Sequence, residues 1–256
     1  MTIAFIQAPL VWENPIANIS YFEQKINQIN NTVDVIILPE MFTTGFSMHP
    51  KPIAETMQGN TVRWMQEIAN NKNCAILGSI IIEADHQFFN RMLFACPGNI
   101  VHFYNKRHLF SLAGEHHEYT SGQFQKIVDF RGYKFCLQIC YDLRFPVFAR
   151  NTSHYDVLIY VANWPKPRIS AWDALLKARA IENMSYVFGV NRIGTDANNL
   201  EYCGHSQAID FMGQYVLEPQ ITENTFIVNL DKNAMLEART KFGFLNDQDN
   251  FEIKMA

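Results

Sequence analysis

The run VDVIIL at residues 33–38 constrains this chain most. It is a short, nearly all-apolar segment, the mark of a strand covered on both faces rather than one with a wet side. A fold containing it must supply packing layers on two sides. Similar segments recur: Ile3–Gln7, Ala75–Ile82, Arg91–Cys96, Ile100–Tyr104, Tyr133–Cys140, Val157–Ala162, Tyr186–Asn191, His205–Asp210, Gln214–Leu217 and Phe226–Leu230. Helical patterns lie between them. Asn14-Pro15 opens one helix, Asn as cap and Pro in the first turn, with Ile16, Ile19, Phe22, Ile26 and Ile29 spaced to form a buried stripe. Further helices are expected over Asn60–Ala69, from a Ser170 cap through Glu182, and over Asn233–Lys241. No repeat, low-complexity segment or linker interrupts this alternation. The economical reading is one α/β domain over residues 1–256, with packed sheets inside and helices outside.

Composition narrows the function. Of 256 residues, 48% are hydrophobic and 18% charged, enough for a sizeable core. The net charge of −4, without a Lys/Arg run, points away from nucleic acid. No uncharged apolar run approaches the roughly 18 residues of a membrane span. The chain starts directly on a strand, with no secretory leader pattern. The five cysteines, Cys74, Cys96, Cys136, Cys140 and Cys203, are scattered and form no CxxC pair, which predicts a reduced, cytoplasmic protein.

In folds of this class ligands sit at the carboxyl ends of strands. Four strand ends carry chemistry: Glu40 after VDVIIL, Lys106 after the strand at Ile100, Cys140 after the strand at Tyr133, and Asn163-Trp164 after VLIYVA. A carboxylate can take a thiol proton, the thiolate can attack a carbonyl, and an ammonium can hold the resulting oxyanion. A strand-to-turn junction exposes the sulfur and aims the next backbone N–H, that of Tyr141, at the same space. Each residue alone has a plainer reading: Glu40 a solvated turn residue, Lys106 surface charge, a strand cysteine mere packing. Cys136, on the same strand face as Cys140, is read as packing behind it.

The words around these residues resemble the nitrilase superfamily, the carbon–nitrogen hydrolases with a Glu–Lys–Cys site, over essentially the whole chain. "LPEMFTTGF" looks like the segment carrying the general base, on Glu40; "YNKRHLF" is similar to the lysine segment, on Lys106; "QICYDLRFP" resembles the nucleophile segment, on Cys140. "GEHHEYTSG" resembles the segment of a second glutamate, matched to Glu115 with Glu118 the other candidate; Ser121 stands where many members have Pro. "CYDLRFP", "VANWPKPR" and "ARAIENMSYVFGVNRIG" look most like the ω-amidase branch, whose members hydrolyse the terminal amide of short 2-oxo dicarboxylic acid monoamides such as 2-oxoglutaramate.

The resemblance implies a four-layer αββα sandwich, a homodimer or higher homo-oligomer, and a small-molecule amide as substrate. It implies no metal and no cofactor. Glu115-His116-His117-Glu118 also lacks the H-E-x-x-H spacing of a zinc site. It further implies that Glu40 moves the proton, Cys140 forms a thioester, Lys106 and the Tyr141 N–H hold the oxyanion, and Glu115 orients Lys106 or the amide nitrogen. Arg168 is the candidate anchor for the substrate carboxylate, because a guanidinium fork matches that group. Arg144 is read as a structural ion-pair residue. Phe42 and Trp164 are candidate pocket walls, with plain core packing as the alternative. Two other functions stay open: a carbon–nitrogen hydrolase of N-carbamoyl amino acids, aliphatic amides or nitriles, and a catalytically silent interaction protein on the same fold.

Overall fold

The computed structural model describes residues 1–30 and 32–254. In chain order its elements are β1 (Thr2–Gln7), α1 (Pro15–Asn27), β2 (Val35–Ile37), α2 (Asn60–Lys72), β3 (Ala75–Ala84), β4 (Gln87–Cys96), β5 (Ile100–Asn105), α3 (Glu115–Glu118), β6 (Lys126–Phe130), β7 (Tyr133–Ile139), α4 (Pro146–Ala149), β8 (Val157–Ala162), α5 (Ile169–Asn183), β9 (Tyr186–Asn191), β10 (Ile193–Thr195), β11 (Glu201–Cys203), β12 (Ser206–Ile209), β13 (Tyr215–Gln220), β14 (Asn224–Asn229) and α6 (Lys232–Phe242). One sheet has the order β14-β1-β2-β3-β4-β5 and the other β13-β12-β9-β8-β7-β6, while β10 and β11 form a separate hairpin. Each sheet has three parallel strands at its centre, β1-β2-β3 and β7-β8-β9, flanked by antiparallel neighbours.

Alternation along the strands divides the core into three seams. Phe5, Leu77 and Phe94 of the first sheet meet Phe135, Ile159 and Phe188 of the second. The opposite face of the first sheet, with Ile36 and Ile76, takes Phe22 and Ile26 of α1 and Met65 and Ile68 of α2. The opposite face of the second sheet, with Leu158 and Val187, takes Trp172, Leu176 and Ala180 of α5. The result is the expected αββα order of layers, and it explains why β2 (Val35–Ile37) has no polar face.

The differences from expectation are local. Ile16 lies outside the α1 stripe at 84% exposed, and Asn18 is buried instead. The Asn18 amide bonds both the N–H and the carbonyl of Val11 and also the carbonyl of Thr43, so a polar residue earns an inward position. Asn14 does cap α1, accepting from the Ala17 N–H at 3.1 Å. Ser170 does not cap α5. A 3₁₀ turn over Lys166–Arg168 leads straight into that helix at Ile169. Strand β6 and the β10–β11 hairpin escaped the sequence reading. Among the described residues no helix is long and apolar enough to cross a membrane.

Candidate active site

The carboxyl ends of the two sheets' central strands face one another, and the polar residues gather there. Glu40 follows β2 in a turn where Met41 takes a positive φ of 44°. The Met41 N–H donates to Ser79 Oγ at 2.9 Å and the Phe42 N–H to the Ser79 carbonyl at 3.1 Å, fastening the turn to β3. Lys106 lies one residue past β5, its N–H donating to the Asn90 carbonyl at 2.9 Å. Glu115 opens α3. The loop after α3 returns close to β5, the Gly122 N–H donating to the Lys106 carbonyl at 2.8 Å. A Cβ at residue 122 would lie 2.1 Å from the Asn105 carbonyl oxygen, so only glycine fits. Cys140 follows β7 directly and begins the 3₁₀ turn Cys140–Arg144, with φ at +45°, a strained value for a residue with a side chain.

Glu40, Lys106 and Glu115 are all buried. Lys106 Nζ lies 3.0 Å from Glu40 Oε1 and 3.0 Å from both oxygens of Glu115. Asn90 Nδ2 donates to Glu40 Oε1 at 2.8 Å and approaches Glu115 Oε1 at 3.4 Å. The other Glu40 oxygen accepts the Asn163 backbone N–H at 2.7 Å, which ties the base turn of one sheet to the β8 end of the other. Asn163 Nδ2 adds a bond of 2.7 Å to the Glu40 carbonyl. The Phe110 N–H donates to Glu115 Oε2 at 2.5 Å. Glu118, the other candidate, is exposed.

Burial alone would lower the Lys106 pKa, but Glu115 and then Glu40 reverse this and raise it beyond the ordinary lysine range. Glu115 is shifted upward, by burial first, against the pull of Lys106. The Cys140 thiol is pushed well above its ordinary range by burial and by the Glu40 charge, with Lys106 opposing. A thiol in this setting rests protonated beside a carboxylate.

Above the cluster opens a cavity of about 340 Å³. Lys106 and Cys140 reach its floor, and Tyr141, predicted to lend its backbone N–H, also lines it. Trp12, Phe46, Trp164 and Leu200 give it apolar walls. Trp164 is thus a wall, its Nε1 donating to the Arg168 carbonyl at 2.8 Å. Phe42 is not. It is fully buried between Phe22 and Trp64 in the seam under α1 and α2, because the turn at Met41 directs it away from the cavity. Arg168 does line the cavity, over the Phe110 ring at 5.1 Å. Arg144 departs from expectation: among the described residues it forms no ion pair, and its guanidinium lies over Trp164 at 5.1 Å, facing the same cavity. Cys136 is buried in the seam toward α5, as packing requires.

Sequence reasoning marked Asn163 only as part of a strand end, without a role, and missed Asn90 and Asp142 as parts of this site, along with the hairpin that brings Asp196, Asn198, Leu200 and Tyr202 to the cavity wall. The two asparagines stand in or just after strands, and only the tertiary structure brings them to the carboxylates.

A model of the carbon–nitrogen hydrolase family matches residues 2–240. The ω-amidase YafV of Escherichia coli K12 is 42% identical over 254 residues, 99% of this chain and 98% of its own length. The 2-oxoglutaramate amidase of Bacillus subtilis is 32% identical, with 96% of each chain covered. The crystal structure of a carbon–nitrogen hydrolase superfamily protein from Xanthomonas campestris, with an arsenic adduct in its active site, superposes with a TM-score of 0.97 at 38% identity, covering 99% of both chains.

Proposed function

The chain belongs to the carbon–nitrogen hydrolase family and acts on amides, and from that premise we propose that it hydrolyses the ω-amide of short 2-oxo dicarboxylic acid monoamides, 2-oxoglutaramate and 2-oxosuccinamate, through a thioester on Cys140. The observation that carries this reading is the buried Glu40–Lys106–Glu115 cluster beneath a cavity that Cys140 lines together with two arginines, Arg144 and Arg168, that have no acid partner among the described residues.

The proposed sequence starts with a neutral thiol. Glu40 takes the Cys140 proton as sulfur attacks the amide carbon, so no free thiolate need persist beside two carboxylates. Lys106 and the Tyr141 N–H hold the oxyanion, a preorganised donor contributing about 3 kcal/mol. Glu40 returns the proton to the nitrogen, and ammonia leaves. Water, activated by Glu40, then cleaves the thioester. Glu115, with both oxygens on Lys106, keeps that ammonium charged and aimed.

The walls support the substrate class. Arg168 and Arg144 offer positive charge to a substrate carboxylate. The one acid among the described lining residues, Asp196, is already engaged: it accepts the N–H groups of Asn198 and Leu200 and the Tyr202 hydroxyl. An amino acid's α-ammonium would therefore meet two guanidiniums and no free carboxylate, a costly arrangement. Ammonia release from 2-oxoglutaramate, glutamine, an N-carbamoyl amino acid and a simple aliphatic amide tests the proposal. We expect kcat/KM to favour the oxo acid amide. A preference for the carbamoyl compound or for glutamine would overturn the substrate and leave the family.

A further inference from the structure

Asp142 is fully buried two residues after Cys140, and its carboxylate accepts four hydrogen bonds. Oδ2 takes the Ile139 N–H at 3.0 Å and the Tyr104 hydroxyl at 2.8 Å. Oδ1 takes the His108 N–H at 2.9 Å and lies 2.8 Å from His108 Nδ1. One donor precedes the nucleophile; the other three flank Lys106 on the neighbouring sheet's last strand and its exit. The Arg107 N–H in turn donates to the Tyr104 hydroxyl at 3.2 Å. The Tyr104 hydroxyl, pushed above its ordinary pKa by burial and then by Asp142, stays a donor. The His108 ring is stacked on Phe145 at 3.9 Å, which fixes its plane. From the helix side, Arg179 Nη2 of α5 donates to the Leu143 carbonyl at 2.5 Å. A turn that begins with a strained cysteine is thus held from two directions.

We infer that Asp142 is a positioning residue that sets Cys140 and Lys106 at their working separation by fastening the nucleophile turn to the lysine segment through Tyr104 and His108. The inference rests on the roles assigned above to Cys140 and Lys106. Its physical basis is that an acceptor-only carboxylate meets donors at every contact. Asn at this position would turn one NH₂ against backbone and side-chain donors, releasing one side of the clamp. Cys140 would then relax from its positive φ, and the oxyanion would form away from Lys106.

The test is a double-mutant cycle on 2-oxoglutaramate hydrolysis with Asp142→Asn and Lys106→Met. We expect Asp142→Asn to lower kcat about 100-fold with KM changed less than about threefold, the pattern of an interaction lost in the transition state. In the Lys106→Met background the same change should cost less than about fivefold, because the alignment it provides no longer has a partner. Should Asp142→Asn fold poorly, His108→Ala and His108→Asn serve: the first removes the ring donor and should lower kcat, and the second, whose Nδ2 stands in for Nδ1, should restore it. Additive losses in the cycle, or equal activity of the two His108 variants, would overturn the clamp. Undiminished turnover by Lys106→Met alone would instead overturn the oxyanion assignment, so the two failures are distinguishable.

Discussion

The floor and the walls of the cavity use charge in opposite ways. On the floor, Lys106 is matched by Glu40 and Glu115, and Glu40 receives donors from Lys106, Asn90 and Asn163. Every contact is short, buried and mutual, so the arrangement is fixed before any ligand arrives. On the walls, Arg144 and Arg168 lie over aromatic rings and have no acid partner among the described residues. A cation over a ring is held weakly and stays free to meet an anion. On the proposed mechanism the floor carries the reaction and the walls carry the choice of amide. Substitutions on the floor should strike kcat, and those on the walls should strike KM for acidic substrates.

The sharpest break is on the floor. Glu40→Gln keeps the shape of the base but removes its ability to take the thiol proton, and kcat should fall about 1,000-fold. Activity within tenfold of wild type, measured by ammonia release, would remove Glu40 from the base role. Lys106→Met keeps most of the stem's volume and removes the ammonium; kcat should fall about 100-fold. A change confined to KM would move Lys106 from floor to wall in function.

The wall predictions are smaller and selective. Arg168→Met should raise KM for 2-oxoglutaramate by roughly 10-fold or more, the scale of one hydrogen-bonded charge, while a neutral aliphatic amide is barely affected. Equal effects on both substrates would shift the anchor to Arg144. Cys136→Ala lies behind both regions and should leave kcat within about twofold, at a stability cost of about 1–2 kcal/mol for a small buried side chain. A loss of activity as large as that of a floor residue would mean the seam toward α5 helps shape the nucleophile turn.

Much of this division is legible in the sequence. Continuous apolar runs such as VDVIIL and VLIYVA require cover on both faces, and the layers follow from them. The charged residues just past those runs fall at the carboxyl ends of the strands, where the two sheets bring them together. What the sequence hides is direction and distance. Phe42 follows Glu40 by two residues, yet a positive φ at Met41 sends it into the core. The resemblance favours Glu115 over Glu118, but only the structure shows Glu115 buried on Lys106 and Glu118 exposed. Asn90 lies within β4, paired with Ile81 across the ladder, and nothing local marks it as a neighbour of Glu40. The β10–β11 hairpin has three-residue strands in a polar, Asn-rich stretch, too short for periodicity to register.

The central claim is that the amide carbon passes through a bond to Cys140 on the floor of this cavity. Acid quenching during the first turnover of 2-oxoglutaramate, followed by mass mapping of the peptides, tests it directly. The account predicts a 2-oxoglutaryl adduct on the peptide holding Cys140, ammonia released in step with it, and neither signal from a folded Cys140→Ala variant. Ammonia released by Cys140→Ala at the wild-type rate, or an acyl group carried on another residue, would contradict it.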